Sequence, residues 1–496
     1  MSAAPVPVAP SDPPPAAAPR LPGRRALLLA TLTGVLLATS QVDLYPLAWV
    51  ALAPLTLACA GRRVAGGAAL GFLSGLLAGS ALYGVATYGL LTYGMLVVYC
   101  GVHMALYGAV MARSFGRIGP WSDLVLPALA WTAFEVLRRV GTVSFPINLS
   151  ATQVELLPLL QLAYWTGGHG VSFLIALPAG VLATWAWRGR FPGRQATAGV
   201  VVLVLTMTIG QLRLREPVID DSKVRLTGVQ TAFQNWLYEL EQVSSPHKEL
   251  LHESLFQLTE QAGAAGADLI VWPETALHER VLELPPLQER LTALARRHGS
   301  AILAGFFRED PQGLEHNSAV LFTPAGVGPI YDKRRLAGLA EWRITPGREL
   351  APLATPHGAV GVLICLESVY PQDARELVRR GAELLVVTTN DAGFLFSPMA
   401  GFHGQRSILT AIESDRYLLH LSQAGPSYLL DPRGRALRAT ELFQSTLVAG
   451  EVGRRRTVSP YHRLGDWFAG LLYVGLAAAL LTPAGRRRGV RPRPTP

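Results

Sequence analysis

The chain has 496 residues, half of them hydrophobic and 16% charged, with a formal net charge of +9. That is too apolar for a set of soluble domains alone, so membrane spans are expected. The arginines stand beside apolar segments and form no aromatic-interleaved patch, which argues against a nucleic-acid surface and makes the charge a matter of membrane topology.

Residues 1–19 are too rich in Pro and Ala to bury a core and read as a disordered tail. Arg20, Arg24 and Arg25 then precede an apolar run that alone would resemble a secretory signal, but further apolar segments follow at once, which favours an uncleaved first span. Given that a span needs about 20 apolar residues, seven are expected near 25–41, 44–60, 65–86, 90–112, 121–137, 168–187 and 196–212, and an eighth near 466–483. With the N-terminus in the cytoplasm, Arg62, Arg63, Arg113, Arg117, Arg188, Arg190 and Arg194 fall at inner ends, as do the arginines of the tail 486–496. They outnumber the outward Arg138, Arg139, Arg213 and Arg215, so residues 216–460 are expected to face the periplasm and both termini the cytoplasm. The domain division that follows is tail 1–19, membrane domain 20–215, soluble domain 216–460, last span 461–485 and basic tail 486–496.

Residues 216–460 alternate β-type runs (224–230, 268–272, 301–307, 318–323, 359–365, 383–389, 417–422, 427–431, 447–452) with helical patterns (246–265, 286–298, 371–381, 401–415) and a turn at 431–435. Several strands are apolar on both faces, as sheets covered by helices require, so the block is a layered α/β or α+β domain.

Three sites there carry chemistry. Cys365 ends the run AVGVLIC; a thiol is a poor nucleophile until a base or a cation produces the thiolate, and otherwise a lone cysteine is a small buried apolar residue. Cys59 and Cys100 lie in apolar runs, so no spacing suggests a disulfide framework or a zinc site. Glu274 in DLIVWPETAL, just past a strand and beside Trp272 and Leu277, is suited to be a general base, or else a helix N-terminal acid. Lys333 in IYDKRRL would favour a thiolate and stabilise an oxyanion, or else belong to a solvated charge run.

The order Glu274, Lys333, Cys365 resembles the Glu–Lys–Cys triad of the nitrilase, or carbon–nitrogen hydrolase, superfamily, whose fold is an α-β-β-α sandwich. The resemblance implies that Glu274 is the general base, Lys333 the oxyanion stabiliser and Cys365 the nucleophile. Spans on both sides of such a domain, with PLLQLAYWTGGHGVSFL (158–174), VWPETAL, YDKRRL, GVLICLES, TTNDA (388–392) and SPYHRLGDW (459–467), resemble the apolipoprotein N-acyltransferase family. That likeness adds Glu341 as an acidic residue beside the triad, with Glu367 and Asn390 as supporting or substrate-binding groups; Glu367 either lies on the side of Cys365 or caps the turn after it. It implies a phospholipid acyl donor, a Cys365 thioester, a diacylglyceryl apolipoprotein acceptor, no cofactor, no metal, no nucleic acid, a monomer, and the bacterial inner membrane. Departures from the family stand at Ile147, Leu366, Gly393, Ile408, Tyr417, His420 and Gln423, the last three replacing Pro, Arg and Asn. They leave open a tethered amidase or nitrilase-type hydrolase, a paralogue acylating another amine, or a silent lipid-binding scaffold. His103 reads as a packing residue, His403 and His420 as too isolated for a metal site, and Trp467 as an interfacial anchor.

Overall fold

The computed structural model describes residues 20–41, 44–138, 148–233, 245–394 and 397–482. Ile147 and the two terminal tails lie outside them.

Helices Gly23–Ser40, Val64–Gly79, Leu90–Ser114, Pro120–Leu137, Gly168–Arg188 and Gly193–Arg215 make up most of the N-terminal region. Among the described residues four helical stretches are long and apolar enough to cross a bilayer: Val64–Tyr88, Leu90–Ser114, Gly168–Arg188 and Gly193–Arg215. These bear out four of the eight expected spans among the described residues. The first helix begins with Arg24 and Arg25, and Pro120–Leu137 carries Asp123 and Glu135. The segment expected at 44–60 is a short turn, Tyr45–Trp49, followed by the helix Ala53–Cys59. Helix Trp467–Leu481 has 15 residues, about 22 Å at 1.5 Å per residue, short of a 30 Å hydrocarbon core.

Small residues set how closely two spans approach. Gly67, Gly71 and Gly75, spaced four residues apart, form a stripe against Leu90–Ser114, and a Cβ on Gly71 would come within 1.9 Å of the Met104 carbonyl oxygen. This pair carries the Ser80–Tyr88 segment to the soluble domain, where the Tyr88 ring meets Phe394 edge-on at 5.4 Å.

The soluble domain contains two six-stranded sheets. The strands are β1 (Ser222–Gln230), β2 (Leu269–Val271), β3 (Ala301–Glu309), β4 (Glu315–Thr323), β5 (Gly326–Asp332), β6 (Leu353–Thr355), β7 (Gly358–Ile364), β8 (Leu384–Thr389), β9 (Leu418–Ser422), β10 (Tyr428–Leu430), β11 (Ala436–Ala439) and β12 (Thr446–Arg454). One sheet runs β12-β1-β2-β3-β4-β5 and the other β11-β10-β9-β8-β7-β6. Their inner faces touch at Gly228 of β1, where a Cβ would lie 2.8 Å from Leu421 of β9. Helices Ser245–Ala264 and Pro285–His298 cover the first sheet, the former through Thr259, which accepts from the Trp272 indole at 2.8 Å. Helices Pro371–Arg379 and Pro398–Ser414 cover the second, so β8, LLVVTT, is buried along its whole length. Trp467 donates its indole N–H to the Trp165 carbonyl at 2.8 Å, and His103 packs within its own helix on Tyr99.

Candidate active site

The chain leaves β2 through Trp272 and Pro273, so Glu274 emerges at the end of the sheet. Thr275 next to it has φ +45, a left-handed conformation rare in a β-branched residue, and it turns the chain sharply there. Gly305 of β3 makes room for this exit, because a Cβ on it would be 2.3 Å from the Pro273 carbonyl oxygen. The Trp272 indole packs on Phe256 under the outer helices. Polar partners hold Glu274. Oε1 accepts from Asn317 Nδ2 and from Lys333 Nζ, both at 2.8 Å, and Oε2 accepts from the Asn390 backbone N–H at 2.9 Å.

Lys333 follows β5 and is 1% exposed, so it is no part of a solvated charge run. Its neighbour Arg335 does reach outward, stacking over Tyr370 at 4.1 Å and pairing with Asp373. The Lys333 ammonium also donates to Glu341 Oε1 at 2.9 Å, and Asn317 Nδ2 reaches the same oxygen at 3.0 Å. Burial alone would lower the Lys333 pKa, but the charge of Glu274, with Cys365 and Glu341, holds it well above its ordinary value. Against burial, the same ammonium holds Glu341 below the usual carboxylate range.

Cys365 stands where β7 passes into a short turn, Cys365–Val369, with φ +51. Burial first, and then the Glu274 charge, push its thiol well above its ordinary value, while Lys333 pulls the other way. The cation expected to favour the thiolate is therefore present, but burial and the Glu274 charge oppose it. Glu367 caps this turn, the second of the two alternatives left by the sequence. Its Oε2 accepts from the Ile364 N–H at 2.8 Å, and its Oε1 accepts from the Arg334 N–H at 2.7 Å and Tyr331 Oη at 2.9 Å. Its carboxylate is thereby committed to fixing the cysteine turn and the backbone after Lys333.

Several residues here have no motif to announce them. Asn317 sits mid-strand in EHNSAVLFT and bridges Glu274 to Glu341, whereas Asn390, expected from TTNDA, acts through its backbone. His403 and His420, far apart in sequence and expected to be isolated, meet at Asp391: His403 Nδ1 is 2.8 Å from Asp391 Oδ1, and His420 Nε2 is 3.8 Å from Oδ2. These three side chains offer ligating atoms within 4.8 Å of one another, so by spacing they are the group that would suit a metal among the described residues. The chemistry fits poorly, because His403 Nδ1 already faces a carboxylate oxygen and Nε2 a carbonyl oxygen and a hydroxyl.

Of the other departures, Leu366 lies in the cysteine turn and Gly393 in the turn Asp391–Phe394. Tyr417 donates to Asp220 at 3.2 Å, and Gln423 bonds through its backbone to Thr389. Ile408 is buried, and the helix that carries it holds a buried arginine two residues earlier: Arg406 pairs with Glu413 at 2.8 Å.

Comparison with known proteins agrees with both halves of this architecture. The carbon–nitrogen hydrolase family matches residues 225–459, and the apolipoprotein N-acyltransferase N-terminal domain matches residues 33–181. An apolipoprotein N-acyltransferase of Geobacter metallireducens is 32% identical over 94% of this chain and 96% of its own length. The chain belongs to the apolipoprotein N-acyltransferase family. Members from Methylococcus capsulatus, 29% identical over 79% of each chain, and Chlorobaculum tepidum, 26% identical over 93% of this chain and 96% of theirs, extend the match. Membership and the four apolar helices make this a membrane protein with an acyltransferase domain.

Proposed function

We propose that this protein transfers a fatty acyl group from a phospholipid, through a thioester on Cys365, to the α-amine of the S-diacylglyceryl cysteine of apolipoproteins. The supporting observation is the buried pairing of Lys333 with Glu274 at 2.8 Å, close enough to Cys365 for both charges to act on its thiol.

In this reading Glu274 takes the thiol proton as the sulfur attacks the ester carbonyl of the donor, and Lys333 stabilises the oxyanion. The carbon–oxygen bond to glycerol then breaks, the leaving oxygen recovers the proton from Glu274, and a lysophospholipid departs. The acceptor amine attacks the thioester next; Glu274 removes its proton, the carbon–sulfur bond breaks, and the proton returns to the sulfur. Glu341 and Asn317 hold Lys333 and Glu274 apart from bulk water and in register. Glu367 and Asn390 support the site through the backbone bonds described above. No step calls for a metal or organic cofactor.

Both substrates are lipid-anchored, which suits a site whose Asn390 carbonyl is 3.5 Å from the Tyr88 hydroxyl at the end of a membrane helix. In this reading residues 216–460 face the periplasm of a bacterial inner membrane and both termini the cytoplasm, an orientation that the arginine distribution supports. Every group named comes from one chain, so the scheme works in a monomer. The test is to incubate purified protein with phosphatidylethanolamine and a diacylglyceryl peptide. N-acylated peptide and lysophospholipid in equal amounts are expected; free fatty acid alone would replace this reading with a hydrolase.

A further inference from the structure

The span Gly193–Arg215 is loosely seated among the others: 17% of its apolar window is buried, against 44–56% in the other three. Its buried residues, Gly210, Arg213 and Leu214, all lie in the last two turns, beside the soluble domain. Gly210 meets the preceding segment so closely that a Cβ on it would be 1.8 Å from the Pro158 carbonyl oxygen. Arg213, three residues on, is buried, and a buried guanidinium needs a counter-charge.

That counter-charge comes from the catalytic domain. Asp415 ends the helix Pro398–Ser414 with a left-handed φ of +52, a conformation that Asp tolerates better than most residues. Its Oδ1 accepts from Arg213 at 3.1 Å. Arg213 also donates to the Gln161 side-chain oxygen, and its guanidinium carbon lies 3.8 Å from the Tyr164 ring centre.

The same carboxylate is tied into the soluble domain. Oδ1 accepts again from Arg433 at 3.0 Å, and Oδ2 accepts from Arg455 at 2.6 Å and from Thr457 at 2.7 Å. Arg433 belongs to the turn 431–435 between β10 and β11, whose Arg435 donates to the Leu214 carbonyl at the end of the span. Gln161 Nε2 closes the ring by donating to the Arg433 carbonyl at 2.9 Å. Three guanidinium groups therefore meet on one carboxylate, and of these Arg213 alone comes from a span. Glu216 and Asp220 stand farther off, 3.5 Å from Arg433 and 3.6 Å from Arg455. The pairing also gives Arg213, one of the arginines on the outward side of the expected topology, a partner inside the protein.

We propose that Asp415 is a positioning residue: through Arg213 it docks the catalytic domain on the end of the span Gly193–Arg215 and holds Cys365 where a lipid-borne acyl ester reaches it. Without the carboxylate the three arginines repel one another, so Asp415 favours the arrangement in which the span end, the turn 431–435 and the end of β12 are together. The proposal rests on the reading of Cys365 as acyl carrier.

The test uses the full-length protein in detergent. Arg213→Met removes the membrane arm and leaves Asp415 with Arg433, Arg455 and Thr457, so the soluble domain keeps its own bonds. Arg433→Met removes the other donor to Asp415 Oδ1, from within the soluble domain. The readout is the rate of Cys365 acylation by phosphatidylethanolamine micelles relative to that by p-nitrophenyl acetate, a water-soluble ester that needs no placement against a lipid surface. In Arg213→Met this ratio is expected to fall about tenfold or more, as for a small misplacement of a reacting group, with alkylation by iodoacetamide unchanged. Arg213→Lys, which keeps a cation at that position, should recover most of the ratio, and Arg433→Met should leave it native. Amide hydrogen exchange of the same proteins should quicken at 210–216 in Arg213→Met and stay native in β8. A native ratio in Arg213→Met, or an equal fall in Arg433→Met, overturns the proposal. If neither ester acylates the native protein, it is the acyl-transfer scheme that fails; exchange at 210–216 then decides the docking, and a native rate there in Arg213→Met overturns it.

Discussion

The Lys333 ammonium lies 2.8 Å from the carboxylate of Glu274, and both side chains are buried. Glu341 completes the pairing from the other side at 2.9 Å. Lys333→Met leaves two carboxylates facing each other around Asn317 with no cation. The expected cost is on the order of 3–5 kcal/mol of stability, as for breaking a buried ion pair. The thiol should rise further, since the lysine is the cation that lowers it. A lower melting temperature together with slower alkylation of Cys365 at pH 8 is expected; alkylation as fast as in the native protein contradicts the arrangement.

Asn317 spans Glu274 and Glu341 with one amide nitrogen. Asn317→Ala removes two charge-assisted bonds, each worth about 1.5–3 kcal/mol when left unmade. Acyl-enzyme formation should drop by at least about tenfold while Cys365 remains present and reactive toward iodoacetamide. Asn317→Asp should be worse than alanine, because it sets a third carboxylate against the other two.

Gly305 bears no chemistry, yet an added Cβ there meets the Pro273 carbonyl at 2.3 Å and Glu274 Cα at 3.0 Å. Backbone cannot swing aside as a side chain can, so Gly305→Ala should displace Glu274. A loss of about 1–3 kcal/mol is expected from overpacking, with kcat falling more than KM changes. Unaltered kcat would mean that the β2 exit tolerates the shift.

Burial pushes the Glu367 carboxyl up to about 7, despite the donors from Ile364 and Arg334 that favour its charge. The folded value lies above the 4.5 of an ordinary glutamate. Its contribution to stability is therefore full below pH 4.5 and is lost as pH rises through 7, a change on the order of 3 kcal/mol. Glu367→Gln, which cannot titrate, should be less stable everywhere but should lack this slope. Melting temperatures of both proteins between pH 4.5 and 8 check the difference; parallel curves contradict it.

Much of the fold was legible because its strands are apolar on both faces: LLVVTT and VGVLI can only be interior strands between helical layers. The strands that escaped, Gly326–Asp332, Leu353–Thr355 and Ala436–Ala439, each lie at a sheet edge, where half or more of a strand faces solvent and no apolar run forms. Glu274, Lys333 and Cys365 were legible by motif order, since each ends or follows a strand. Asn317 was not, because a polar residue inside a strand gives no sign of pointing at two carboxylates from other segments. His403 and His420 misled for a related reason: 17 positions separate them in the chain, but a helix and the adjacent β9 return both rings to Asp391. Four of the eight expected spans are confirmed by length and apolarity among the described residues; at 44–60 hydropathy alone does not register the break between Tyr45–Trp49 and Ala53–Cys59.

The central claim is that Cys365 carries the acyl group. Intact-protein mass spectrometry after incubation with phosphatidylethanolamine tests it directly, comparing the native chain with Cys365→Ala before and after hydroxylamine. The account predicts a fatty-acyl mass gain in the native protein, absent from the variant and removed by hydroxylamine. A folded native protein that gains no mass, or a gain that persists in Cys365→Ala, would contradict it.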